Sequence, residues 1–117
     1  MSPTTLTIER LSGRREGVRI LRLTGQFTLS TLGEFQTLVR EGAHPVTIVD
    51  LSGVPFIDSA AVGALLGFHA SCAHHQRRYA LTGISDRLRS IFRTTGIGAL
   101  LVIYSSVEDA EERTAAD

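Results

Sequence analysis

The sequence predicts an α/β domain: a mixed, mostly parallel sheet with an antiparallel hairpin at its N-terminal edge and helices packed against it. Three observations carry that expectation. Two N-terminal segments alternate polar and apolar residues around a short charged turn, a near-continuous β-branched run (VTIVDLS, residues 46–52) lies further on, and helical spacings alternate with strand-like runs from residue 31 onward. Repeated strand–helix–strand order implies parallel pairing through right-handed crossovers.

TLTIER (5–10) places apolar side chains at every second position, and GVRILRLT (17–24) keeps most of that period with Val18, Ile20, Leu21 and Leu23. Between them SGRREG supplies Gly13 and Gly17 for a turn, so an antiparallel hairpin is the economical join. After Gly25 the spacing changes. In STLGEFQTLVREG (30–42), Leu32, Phe35, Leu38 and Val39 recur at three and four, the period of a helix. Thr31 with Glu34 three residues later fits a capping box, Gly42 suits a left-handed C-cap, and Pro45 bars continuation.

The run at 46–52 reads as a strand covered on both faces or central in its sheet. Beyond it, residues 59–76 read as a long helix, RYALT (78–82) as a strand, DRLRSIFRT (86–94) as a short helix, ALLVIY (99–104) as a strand and 107–116 as a terminal helix. Ser85-Asp86 caps the start of the short helix and Gly96 ends it in the left-handed conformation.

At 117 residues, the whole span 1–117 is expected to form one domain. Twelve acidic and twelve basic side chains cancel, which removes the electrostatic reason to expect nucleic acid or a charged membrane surface as partner. Cys72, the only cysteine, has no internal disulfide partner, and MSPTTLTIER lacks the pattern of a signal peptide, so a reducing, cytoplasmic setting is expected. The longest mostly apolar window, 60–73, falls short of the ~20 residues a membrane span needs, and no direct membrane insertion is expected. The expected partner is a protein or a small molecule.

Within PFIDSAAVGALL (55–66), Asp58-Ser59 sits where the long helix begins. The first N–H groups of a helix have no internal partner and the helix dipole is positive there, so Asp or Ser is favoured as a cap. The same physics accommodates a phosphate. On Ser59 it would add a charge of about −1.5 to −2 and present a docking partner with a bulky dianion beside a carboxylate. The small residues Ala60, Ala61, Gly63, Ala64 and Gly67 keep the helix start low, which suits packing on a sheet or the close approach of another protein.

DLSGVPFIDSAAVGALL resembles the signature of the STAS domain, especially of bacterial anti-sigma factor antagonists, whose pattern runs D-L-S-x-V-x-F-I/M-D-S-S/A-G/A-L-G-x-L. LRLTGQFTLSTLGEFQ is similar to the family's L-x-G-E-L-D-x-x-T-x-x-x-L segment, and IFRTTGIGALLVIYSSVEDAEE to its closing L-F-x-x-T-G-L-x-x-x-x-x-I-Y-x-S-x-x-E-A. The resemblance covers nearly the whole chain in order. It implies a binding protein that captures an anti-sigma factor, itself a serine kinase of the GHKL ATPase type, and so frees a sigma factor. It further implies that the kinase phosphorylates Ser59 and breaks the complex, and that a PP2C-type phosphatase reverses this. Asp58, Ser59, Ala60, Val62, Gly63, Gln26 and Thr28 are the partner-binding residues implied. No cofactor and no catalysis are implied. Two departures stand out: Gln26 and Thr28 replace the two carboxylates of the family's G-E-x-D, and Ala60 replaces its second serine. An alternative within the same family is a subunit of a stressosome or of a lipid-import ABC transporter.

Other chemistries fit less well. Ser59 lacks a G-x-S-x-G elbow, and His69 lies about 15 Å along the helix from it, which argues against a serine hydrolase. His69, Cys72 and His75 share a helical face, but a structural zinc site draws four ligands from more than one segment and no second cluster is present. Gly96 to Gly98 is too short for a dinucleotide loop and reads as a turn. Arg77, Arg78, Arg87, Arg89 and Arg93 form a modest basic surface.

Overall fold

The computed structural model describes residues 5–41 and 44–114. β1 (Leu6–Ser12) and β2 (Val18–Gly25) form the expected antiparallel hairpin, pairing Ile8 with Leu23 and Leu11 with Ile20. α1 (Leu32–Arg40) leads to β3 (Val46–Gly53), which runs parallel to β2; α2 (Ser59–His74) leads to β4 (Arg78–Thr82), parallel to β3. The sheet order is β1-β2-β3-β4. α3 (Asp86–Thr95) and α4 (Val107–Thr114) complete the described elements.

Strand alternation divides the core. Leu21, Leu23, Val49, Leu51, Tyr79 and Leu81 point to one face and meet Phe35 and Leu38 of α1, Leu65 and Phe68 of α2, and Leu88 and Phe92 of α3. Val18, Ile20, Val46, Ile48 and Ala80 point to the other, under Ala110 of α4. Helices cover both faces over β2 and β3, which is why those strands are apolar at successive positions while β1, at the edge, alternates. An aromatic relay, Phe27–Phe35–Phe68–Tyr79, runs through the larger core with successive ring centroids 5.1, 5.8 and 5.1 Å apart.

Four expectations need correction or limitation. Residues 99–104 do not form a strand: Ile97 carbonyl accepts from the Leu100 and Leu101 amides at 2.9 and 3.3 Å, so the apolar run is spent first on a turn. Only Ile103 pairs, in an isolated parallel bridge to Leu81, with Leu81 N–H donating to Val102 O at 2.8 Å and Tyr104 N–H to Leu81 O at 3.0 Å. The capping box of α1 does not form either. Thr31 sits at the N-cap without a capping bond, because its hydroxyl donates instead to Gln26 O at 2.8 Å and accepts from Thr28 N–H at 2.9 Å. α2 ends at His74, two residues before the expected stop, and Gln76 takes a φ of 57° to turn into β4. Gly42 and residues 115–117 lie outside the described residues. Ser85 and Gly96, by contrast, cap α3 as expected: Ser85 Oγ accepts from Leu88 N–H at 3.2 Å and Gly96 is left-handed at φ 76°.

Arg19 is a buried side chain that the residue type hides. It reaches under α1, where its guanidinium donates to Leu38 O at 2.8 Å and to Thr47 Oγ1 at 3.1 Å. A cation at the carbonyl end of a helix complements the dipole. Burial lowers its pKa, and the Glu41 carboxylate acts in the opposite sense.

Candidate functional site

The site is built where two chain segments leave the sheet. β2 ends at Gly25, whose φ of 115° and close contact with Thr5 O leave no room for a side chain. The chain then passes through Gln26 to Thr31. From β3, Gly53 pairs with Thr24 at a register shift, where an added Cβ would stand 2.9 Å from Leu23 O. Past Gly53 the second segment runs through Val54 to Asp58. The two segments meet in a parallel bridge between Phe27 and Ile57, with Phe27 N–H donating to Phe56 O at 3.3 Å and Asp58 N–H to Phe27 O at 3.4 Å. Both bridge residues are buried, and Phe27 opens the aromatic relay.

Asp58 caps α2. Its Oδ1 accepts from Ala61 N–H at 2.9 Å, satisfying one orphan donor of the first turn, and its Oδ2 accepts from Leu29 N–H at 3.0 Å. Burial would raise this carboxyl, but the backbone N–H groups of Ala61, Leu29, Ala60 and Asp58 itself outweigh that and lower it below the usual carboxylate value. Ser59 is the first helical residue and exposed, and its hydroxyl bonds to no described residue. The first turn of α2 holds no acidic side chain beyond the cap.

Gln26, Thr28, Asp58, Ser59, Ala60 and Gly63 gather around this helix start with part or all of each residue open to solvent. Val62 does not join them: it is 7% exposed and packs in the core, because its position on α2 faces the sheet. Gly63 and Gly67 face outward beside a groove of about 190 Å³ between α1 and α2, and a Cβ at either would meet open space. Leu29 and Phe56 are exposed next to the same helix start, and sequence reasoning missed both. A leucine within the polar run TLST was the available signal.

Other candidate chemistry is dispersed. His69 Nδ1 lies 2.8 Å from Tyr79 Oη, and that hydroxyl accepts from Val102 N–H at 3.1 Å. Cys72 is buried and His75 bonds the Ser71 carbonyl at 3.0 Å, so the three residues do not converge on a metal position. Among the described residues no helix is long and apolar enough to cross a membrane. On the α4 face, Arg22, Asp50 and Thr82 lie in register along a groove of about 520 Å³.

The STAS domain family model matches residues 12–110, most of the chain. The protein belongs to the STAS domain family. Among curated relatives, an anti-sigma-B factor antagonist of Listeria monocytogenes is 35% identical over 65 residues, covering 56% of this chain and 55% of that protein. The chain thus spans about half the length of that relative. Among solved structures, an anti-sigma factor antagonist from Mycobacterium paratuberculosis superimposes with a TM-score of 0.78 at 18% identity, covering 92% of this chain and 94% of that one. The antagonist SpoIIAA in its unphosphorylated form gives 0.72 at 23% identity over 92% and 95%. The phosphorylated Bacillus SpoIIAA gives 0.67 at 22% over 92% and 98%. At these identities the structures establish a shared STAS fold, with its mixed four-stranded sheet and flanking helices.

Proposed function

We propose that this STAS protein is an anti-sigma factor antagonist, a cytoplasmic, non-enzymatic binder switched by phosphorylation of Ser59. Unphosphorylated, it docks an anti-sigma factor of the GHKL serine-kinase type over the start of α2; the kinase phosphorylates Ser59 and the complex separates; a PP2C-type phosphatase restores binding. The observation that carries this reading is the placement of Ser59. Its hydroxyl is exposed and unbonded at the first position of a 16-residue helix, beside an Asp58 cap that accepts the Ala61 N–H. A phosphate there stands at the positive end of the helix dipole, so the fold tolerates it while the surface changes charge. The existence of SpoIIAA structures in both phosphorylation states, and the names of the curated relatives, support the reading.

The test is phosphate transfer from ATP by the source organism's GHKL anti-sigma kinases to wild type and to Ser59→Ala, with parallel binding of wild type and Ser59→Asp. Transfer to wild type alone, with weakened binding by Ser59→Asp, is expected. Equal labelling of Ser59→Ala would refute the phosphoacceptor. Co-purification with a transporter ATPase in place of a kinase would point to the transporter-subunit role.

A further inference from the structure

The Phe27–Ile57 bridge fixes which side chains share a surface with Ser59. Alternation along each segment turns Phe27 and Ile57 inward, so Gln26 and Thr28 on one segment and Phe56 and Asp58 on the other take the outward side. Leu29, the next residue, is 73% exposed, and Phe56 is 40% exposed. Single exposed apolar residues are ordinary, but these two come from separate segments to flank the same Asp58-Ser59 pair.

Nor is Leu29 exposed by slackness of its loop. Its N–H is held by Asp58 Oδ2 at 3.0 Å, Thr28 N–H by Thr31 Oγ1 at 2.9 Å, the Thr31 hydroxyl by Gln26 O at 2.8 Å, and Thr28 Oγ1 lies 3.1 Å from Ser30 Oγ. The backbone that carries this apolar side chain is therefore held in place, which lowers the cost of ordering the loop on docking. The charge on this surface is small. Gln26 and Thr28 are neutral, and both oxygens of the Asp58 carboxylate already accept backbone N–H groups.

We infer that partner recognition by this protein is apolar, with Leu29 and Phe56 as its anchors. The complementary surface has an apolar depression that receives Leu29, and it needs no basic side chain opposite positions 26 and 28. The inference rests on the proposed function for its occupant, the anti-sigma factor kinase, docked around Ser59 with Leu29 and Phe56 on either side of the Asp58-Ser59 pair. It adds what selects that partner.

The experiment measures the Kd of purified GHKL anti-sigma kinases of the source organism for unphosphorylated wild type, Leu29→Ser, Phe56→Ser and the pair Gln26→Glu/Thr28→Asp. Circular dichroism melts serve as fold controls, and Leu29→Ser, at the more exposed position, is the primary variant. Each serine variant is expected to lose about tenfold or more in affinity, as truncated anchors do. The acidic pair is expected to bind no more tightly than wild type, and wild-type affinity to change by less than about threefold over a tenfold rise in salt. Wild-type binding that is unaltered in Leu29→Ser, or strengthened by the acidic pair, overturns the apolar anchors and leaves the phosphorylation reading standing. Binding to none of the kinases overturns the proposed function, and the inference with it.

Discussion

Leu29 N–H donates to Asp58 Oδ2 at 3.0 Å, tying the loop after β2 to the first turn of α2 across 29 positions of sequence. With Asp58 Oδ1 engaged by Ala61 N–H, one carboxylate both caps the helix that carries Ser59 and fixes the segment beside it.

Removing that carboxylate should cost stability. Asp58→Ala is expected to lower the free energy of unfolding by about 1 kcal/mol, the usual cost of losing an N-cap, and to release the Leu29 amide to exchange. Urea denaturation and amide hydrogen exchange check this; an unchanged midpoint with a protected Leu29 amide would show that the two bonds contribute nothing.

The same group gives a pH dependence of definite sign. The Asp58 carboxyl lies below its ordinary value in the folded state, so its ionised form stabilises the fold. That contribution is complete above the unfolded-state value and disappears as pH falls through the folded-state value below the usual carboxylate range. The stability difference between wild type and Asp58→Asn should therefore be constant near neutrality and shrink on acidification below about pH 4. A difference that grew on acidification would contradict the bonding described.

Phe27 joins the site to the core. It is fully buried, pairs through its backbone with Phe56 and Asp58, and stacks edge-on with Phe35 at 5.1 Å. Phe27→Ala should cost about 3–5 kcal/mol, within the range for buried aromatics, and should be read as a loss of melting temperature before any loss of binding is interpreted. A cost under about 1 kcal/mol would mean that the bridge and relay are not cooperative parts of the core.

Cys72 should be nearly inert. Burial pushes its thiol up to about 11, with Arg77 and Arg19 opposing, so the thiolate is scarce at neutral pH and screened by α2 and the sheet. Ellman's reagent is expected to react slowly with the native protein and promptly in denaturant; prompt reaction with native protein would contradict the packing of α2.

Much of this fold was legible because its signals are local. The period-two hairpin, the β-branched run of β3, the Asp58 cap and the Ser85 and Gly96 caps of α3 all act within a few residues, and all are found. Residues 99–104 misled because six apolar residues satisfy a turn closed on Ile97 O as well as a strand. The Thr31 capping box failed because a hydroxyl free in sequence is claimed by Gln26 O in the folded loop. Asp58 and Ser59 were readable as a helix start, whereas the Asp58–Leu29 link, the burial of Val62 and the inward reach of Arg19 depend on which segments the sheet brings together.

The most direct measurement is a titration of the cognate GHKL kinase with the unphosphorylated protein and with the same protein carrying phosphate on Ser59. Tight binding of the first is expected, with a loss of about a hundredfold or more in the second, equivalent to about 2.8 kcal/mol, and circular dichroism unchanged. Equal affinities for the two forms would contradict the phosphorylation switch.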